Sequence, residues 1–151
     1  ALPILLFDEP TSALDAANQK LVLDLLQKLH SEQPFGYVFV SHDIGLLQAV
    51  TDRIIVMKDG QIVETIESKR LKEAVHPYTQ ALLSAVPIPD PEVAKNSQRI
   101  VLEGDIPSPI DPPPGCRFKG RCKCAKPICS EVDPVLKEVE DGHFVACHLY
   151  D

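Results

Sequence analysis

Short apolar runs alternate with helical patterns at the start of the chain. Residues 4–7 and 37–40 are continuous apolar runs, typical of strands that are buried on both faces. Between them Asp15 stands where a helix N-cap belongs, and apolar residues spaced three and four apart predict a half-buried helix to about residue 33. A shorter helix is predicted over 44–50. This alternation predicts an α/β fold, in which loops at the carboxyl ends of the strands carry the chemistry.

The later part of the chain changes character near residue 66. Residues 53–57 and 61–65 are predicted strands joined by Lys58-Asp59-Gly60, a strong hairpin signal. Helical stretches are predicted to residue 74 and over 78–86. Eight of the fourteen prolines lie between 87 and 114, so that segment should be extended, with one candidate strand at 99–103. We therefore expect one domain over 1–66 and an irregular, Pro- and Cys-rich extension over 67–151.

Composition excludes several classes of protein. The 151 residues are 44% hydrophobic and 25% charged, which is ordinary for a globular domain. The net charge of -7 argues against a general nucleic-acid-binding protein. No run approaches the roughly 18 apolar residues of a membrane span, and no leader marks the chain for secretion. Because the sequence opens with Ala1 inside an apparent strand, we expect it to be the C-terminal part of a longer protein.

The most specific motif is Ile-Leu-Leu-Phe-Asp-Glu-Pro-Thr-Ser-Ala-Leu-Asp over residues 4–15. Two adjacent carboxylates, Asp8 and Glu9, at the end of an apolar strand are costly unless a cation compensates them. Neighbouring strand residues point to opposite sides, so the two acids should have different tasks. One can face a divalent metal and the other a water, as phosphoryl transfer requires. The alternative is that both acids only solvate the strand end and cap the next helix.

This string resembles the Walker B motif and D-loop of the ABC-transporter ATPases, and His42 resembles their switch histidine. The resemblance implies that Asp8 helps to hold Mg²⁺, that Glu9 is the general base, and that His42 touches the γ-phosphate of ATP. It also implies that Asp15 contacts an opposing subunit across the nucleotide. The sequence contains neither G-x-x-x-x-G-K-[ST] nor the Leu-Ser-Gly-Gly-Gln signature. Without that phosphate cradle, we expect this chain alone to have no ATPase activity.

Four of the five cysteines crowd between 116 and 129. Cys116, Cys122 and Cys129, with Cys147 further on, offer four thiolates at spacings wider than the pairs of most structural zinc sites. Four thiolates are also the usual complement of a 4Fe–4S cluster. A basic run surrounds them and would offset an anionic site: Arg117, Lys119, Arg121, Lys123 and Lys126. The residues alone therefore indicate a four-thiolate site.

The tail narrows the resemblance. His76-Pro77-Tyr78-Thr79-Gln80-Ala81-Leu82-Leu83, the Pro-rich segment 103–114 and the cysteines together resemble the C-terminal extension of oligopeptide, dipeptide and nickel importer ATPases. The resemblance implies the C-terminal part of a P-loop NTPase domain, ATP and Mg²⁺ as ligands, and a 4Fe–4S cluster on the four thiolates. Zinc, free thiols or a disulfide remain alternatives at that site. Cys124 departs from the family pattern and is either a spare thiol or another ligand.

The same resemblance implies an assembly. Its partners would be a second ATPase subunit, identical or different, two transmembrane permease subunits and, indirectly, an extracytoplasmic peptide-binding protein. The subunit would then lie at the cytoplasmic face of the membrane. For His76 and Tyr78 we expect only a structural role, at the start of a helix that packs through Leu82, Leu83 and Val86.

Three other interpretations stay open. A standalone metal- or cluster-binding module would explain the missing phosphate loop without a longer protein. An ABC ATPase of DNA repair or chromosome organisation would explain the first 65 residues and leave the tail unexplained. A nickel importer would share all the motifs, because the ATPase subunit does not touch the transported molecule.

Overall fold

A computed structural model describes residues 4–33, 35–86, 100–102 and 113–151 of the chain. The chain divides into two compact units, Ala1–Asp52 and Arg53–Asp151, called here unit 1 and unit 2. Among the described residues, no helix is both long and apolar enough to cross a membrane.

Unit 1 contains two parallel strands and two helices. Strand β1 (Ile4–Asp8) is followed by helix α1 (Ala16–Glu32), strand β2 (Gly36–Val40) and helix α2 (Ile44–Val50). The strands pair in parallel, with Ile4 opposite Gly36 and Asp8 opposite Val40. A parallel pair needs a crossover connection, which α1 supplies. The predicted alternation of strand and helix is thus confirmed.

The apolar surface of unit 1 stays largely exposed. The predicted half-buried stripe of α1 is covered only in part: Val22 and Leu26 are half-buried, whereas Leu21 is 65% exposed and no residue of this helix is fully buried. On β1, Ile4 is 77% exposed. A two-stranded sheet is too narrow to cover a helix of this length. Among the described residues of unit 1, only Phe39 and Leu46 have buried apolar side chains. Unit 1 therefore presents a broad apolar surface for packing.

Unit 2 starts with the predicted hairpin. Strand β3 (Arg53–Lys58) and strand β4 (Gln61–Glu67) pair in antiparallel fashion. At the turn both Asp59 and Gly60 have positive φ, of 46° and 78°. This is the left-handed pair that a two-residue type I′ hairpin requires. A 3₁₀ segment (Ser68–Glu73) and helix α3 (Pro77–Ser84) follow.

The extension is less irregular than predicted. Strands β5 (Lys137–Glu140) and β6 (His143–Val145) form an antiparallel hairpin, and β6 pairs with β4, so the sheet order is β3-β4-β6-β5. The sheet thus joins residues on both sides of the predicted boundary near 66. The division into two domains at that residue stays a prediction. The candidate strand at 99–103 lies partly outside the described residues, and residues 100–102 are not in a strand.

The core of unit 2 lies on this sheet. Its most deeply buried apolar residues are Ile66, Leu71, Phe118 and Val145. Helix α3 begins at Pro77 as predicted but buries Thr79 and Ala81, and not the predicted Leu82, Leu83 and Val86. This packing brings the loop around Phe118 against the start of α3.

Candidate functional site

The ends of the two parallel strands bring the predicted acidic residues to one edge of unit 1. Strand β1 ends at Asp8, opposite Val40. The backbone N–H of Glu9 donates to the carbonyl of Val40 at 2.9 Å, which extends the pairing by one step. Glu9 itself has a φ of 45° and lies beyond the strand. The prediction that the two acids alternate along one strand is therefore wrong, because Glu9 turns in the left-handed region.

Glu9 and His42 meet at this edge. The Oε1 atom of Glu9 lies 3.3 Å from Nδ1 of His42. Their side chains are 48% and 77% exposed. A carboxylate and an imidazole placed together and open to water can accept a proton and orient a polar ligand. Parallel pairing thus brings together two residues that are 33 positions apart in the sequence.

The loop after Glu9 is held by local hydrogen bonds. The backbone N–H and the hydroxyl of Ser12 both donate to the carbonyl of Glu9, at 3.2 and 3.1 Å. Asp15 is the N-cap of α1, and its carboxylate accepts from the backbone N–H of Asn18 at 2.8 Å. The carboxylate of Asp15 therefore caps the helix, whereas those of Asp8 and Glu9 lie exposed at the strand end.

His42 is fixed between a strand and a helix cap. The next residue, Asp43, is the N-cap of α2 and accepts from the backbone N–H of Leu46 at 3.0 Å. The hydroxyl of Ser41 accepts from the backbone N–H of Asp43, also at 3.0 Å. These contacts order the backbone next to His42, from which the imidazole reaches Glu9.

The thiol loops of unit 2 form a second candidate site. The backbone N–H of Cys116 donates to the carbonyl of Cys129 at 2.8 Å. Cys122 follows a 3₁₀ turn (Lys119–Arg121), and Cys129 lies in another (Pro127–Ser130). The Cys129 sulfur accepts from the backbone N–H of Lys126 at 3.4 Å. The first three predicted cysteines thus belong to one folded loop.

Three of the four predicted thiols have a raised pKa. Burial raises the pKa of the Cys116, Cys122 and Cys147 thiols above the usual range. Smaller contributions to the raised pKa of Cys147 come from Cys116, Cys122 and Cys129. Thiolates are suitable donors for zinc and for iron–sulfur clusters, so the chemical type of these four donors suits such a group. In the described ranges, however, no three His, Cys, Asp or Glu side chains are arranged closely enough to hold a metal ion.

The basic run has a structural task in this loop. The guanidinium of Arg117 donates to the carbonyl of Pro113 at 3.2 Å, and the ammonium of Lys119 donates to that of Pro114. Lys126 donates to the carbonyl of His148 at 2.9 Å and so joins the loop to the segment after Cys147. Cys124 is exposed. A backbone hydrogen bond from Cys124 lowers the pKa of the Cys122 thiol, and the charge of the Cys124 side chain raises it.

Gly115 is required for this loop to close. Its φ is 88°, and a Cβ atom at this position would lie 2.3 Å from the carbonyl oxygen of Cys129. Both the dihedral angle and the contact with backbone exclude a side chain. We expect Gly115→Ala to lower the free energy of unfolding of the intact protein by about 2 kcal/mol, measured by denaturant titration.

Gly120→Ala is the matched control for that substitution. Gly120 lies in the same loop, and no atom comes within 4 Å of a Cβ added there. Its denaturation midpoint should stay close to that of the parent. An equal loss of stability in both variants would show that close packing at Gly115 is not what holds the loop.

Sequence reasoning missed a buried polar cluster behind the thiol loops. Glu64 and His143 are 0% and 2% exposed, and Oε1 of Glu64 lies 2.8 Å from Nε2 of His143. His76 is also buried and is the N-cap of α3, where its Nδ1 accepts from the backbone N–H of Tyr78 at 3.0 Å. Glu64 is an acidic residue among the apolar residues of strand β4, and this could have indicated a buried polar contact. The sequence does not indicate that its partner is a histidine 79 residues later.

Comparison with known proteins confirms the resemblance predicted from the motifs. Residues 63–129 match the family described as the oligopeptide/dipeptide transporter, C-terminal region. A putative oligopeptide transport ATP-binding protein of Bacillus subtilis, YkfD, is 49% identical over 95% of the chain and 44% of its own length. AppF of the same organism is 45% identical over 97% of the chain and 45% of its length. OppF of Escherichia coli is 44% identical over 98% of the chain and 44% of its length. The chain thus spans less than half the length of these relatives.

Proposed function

Since this chain is homologous to the oligopeptide transport ATP-binding proteins, we propose that it is part of the ATP-binding subunit of an ABC importer. The importer would move oligopeptides or dipeptides across the cytoplasmic membrane, driven by ATP hydrolysis. The observation that carries the proposal is identity of 44–49% along nearly the whole chain with proteins of that description. The residues 1–66 would be the C-terminal part of the nucleotide-binding domain, and residues 67–151 the extension of this importer class.

The acidic strand end would perform the hydrolysis. Asp8 would help to hold Mg²⁺, which would neutralise the negative charge that develops on the phosphate groups. The Glu9 carboxylate would accept the proton of the attacking water, and His42 would contact the γ-phosphate. The 3.3 Å approach of Glu9 and His42 supports this division of roles, because it places base and imidazole at one point.

Asp15 would contact a second ATPase subunit, identical or different, across the bound nucleotide. Its carboxylate already caps α1, so this loop would reach the partner as a rigid unit. The exposed apolar surface of β1 and α1 would pack against the rest of a P-loop NTPase domain. Because the phosphate-binding loop and signature are absent from the sequence, this chain alone would not hydrolyse ATP.

Four of the five cysteines in the extension would hold a 4Fe–4S cluster. Cys116, Cys122, Cys129 and Cys147 supply the four thiolates that such a cluster needs, and the first three share one folded loop. The hydrogen bond from the Lys126 ammonium to the carbonyl of His148 joins this loop to the segment that follows Cys147 and so supports a common site. Zinc is the second candidate, and the wide spacing of these cysteines makes it the weaker one.

Transmembrane permease subunits would be the direct membrane partners, and a peptide-binding protein outside the membrane would act through them. The subunit would lie at the cytoplasmic face as a peripheral protein. The absence of a membrane-spanning helix from the described residues is compatible with this location.

Import of a labelled oligopeptide by cells tests the proposal. Deletion of the gene should abolish uptake, and the intact gene should restore it. Competition with unlabelled dipeptide and with nickel identifies the cargo class, because only the true cargo should reduce uptake. Restoration of nickel import without peptide import would favour the nickel importer, and restoration of neither would favour the standalone thiol module.

A further inference from the structure

The buried carboxylate of Glu64 has four contacts in the interior of unit 2. Its Oε1 accepts from the backbone N–H of Val75 at 2.8 Å and from that of His76 at 3.3 Å, while Oε2 lies 3.4 Å from the latter. The fourth contact is His143, at 2.8 Å. Two of these partners are backbone N–H groups, for which the carboxylate is the acceptor. A fully buried acid with this many partners fixes the segments that it joins.

One of these segments leads directly to Cys147. Glu64 pairs with Val145 across β4 and β6, and the backbone N–H of Ala146 donates to the carbonyl of Val63 at 2.9 Å. Cys147 is the next residue. The register of β6 on β4, held by the contact between Glu64 and His143, therefore sets the position of the Cys147 thiol.

The other segment leads to the loop of Cys116. Phe118 is buried, and its ring lies 6.3 Å from that of His76 and 5.3 Å from that of Tyr78, between ring centroids. Burial lowers the pKa of the His76 imidazole, opposed by the carboxylate of Glu64 and the backbone of Ala146. A neutral imidazole packs against an aromatic ring without a charge to desolvate. The carboxylate that holds the backbone of His76 thus also seats Phe118, two residues after Cys116.

We propose that Glu64 is the positioning residue of the four-thiol site. Its carboxylate acts on Cys147 through His143 and strand β6, and on Cys116 through His76 and Phe118. The two links together fix the distance between these two cysteines. The inference rests on the proposed thiol site. Such outer partners of metal ligands typically change metal affinity by roughly 10–100-fold when they are removed.

The test compares Glu64→Ala with Ile54→Ala in the intact protein, both with Cys124→Ser. Ile54 is a buried residue of β3 that has no part in the link to the cysteines, so its variant controls for lost stability. Thiols of the metal-free proteins are joined with dibromobimane, and the linked pairs are identified by peptide mapping. Cobalt(II) titration, followed by thiolate-to-cobalt absorption, gives the metal affinity.

We expect Glu64→Ala to lose most of the Cys147–Cys116 link and to weaken cobalt binding by at least about tenfold. Ile54→Ala should keep both properties in its folded fraction, and Glu64→Gln, which retains an oxygen acceptor, should keep part of each. Unchanged linking in Glu64→Ala, an equal loss in Ile54→Ala, or no link in the parent would overturn the proposal. If the thiols of the parent protein can be linked, this linking depends on Glu64 and the parent binds no cobalt, then Glu64 positions the thiols but the cysteines are not a metal site.

Discussion

Replacing Glu9 with glutamine should nearly abolish ATP hydrolysis by the intact subunit while leaving ATP bound. The amide keeps the size and the hydrogen-bonding oxygen of the side chain but accepts no proton from water. Loss of a general base typically costs about 10²–10⁴-fold in rate, and we expect steady-state phosphate release to fall by that factor. Asp8 is unchanged, so retention of labelled ATP on the protein, measured by filter binding, should rise.

Glu32→Gln provides the control for this experiment. Glu32 is an exposed acid at the end of α1, at the opposite end of that helix from Asp15, so it loses the same charge without touching the proposed site. Its phosphate release should equal that of the parent. If Glu9→Gln also hydrolysed ATP at the parental rate, the assignment of Glu9 as the base would be wrong.

Cys116→Ser should remove the iron from the extension. The backbone N–H of Cys116 would still donate to the carbonyl of Cys129, so the loop keeps its tie while one thiolate is lost. A 4Fe–4S cluster carries about four irons per chain. We expect iron and acid-labile sulfide in the anaerobically purified variant to fall at least about tenfold.

Cys124→Ser distinguishes a ligand from a spare thiol in the same analysis. Cys124 is exposed, whereas Cys116 is not. The Cys124 variant should retain its iron and sulfide. Zinc in place of iron in the parent protein would overturn the cluster assignment. A parent protein that contains neither metal would show that the cysteines do not form a metal site.

The pattern of the sequence predicted most of the elements because they depend on local signals. Strand β1, helix α1 and the hairpin at Asp59 and Gly60 each carry their own apolar period, cap or turn residues. Helix α1 is the instructive exception, since its stripe predicts burial that only other segments can supply. Periodicity states which face of a helix should be covered, and it does not identify what covers it.

Elements that depend on distant partners escaped prediction. Strands β5 and β6 are short and partly polar, and they form because β4 offers an edge. The contact between Glu64 and His143 likewise depends on residues that are far apart in the sequence. The chemistry of the candidate sites was accessible from motif residues, whereas the residues that hold those sites in place were visible only in the structure.

The most direct measurement is uptake of a labelled oligopeptide by cells that carry only the Glu9→Gln form of the gene. We expect uptake to fall to the level of the gene deletion, while the Glu32→Gln form imports at the parental rate and both proteins accumulate equally. Peptide uptake at the parental rate by the Glu9→Gln cells would contradict this expectation, because hydrolysis at this strand end would then not drive import.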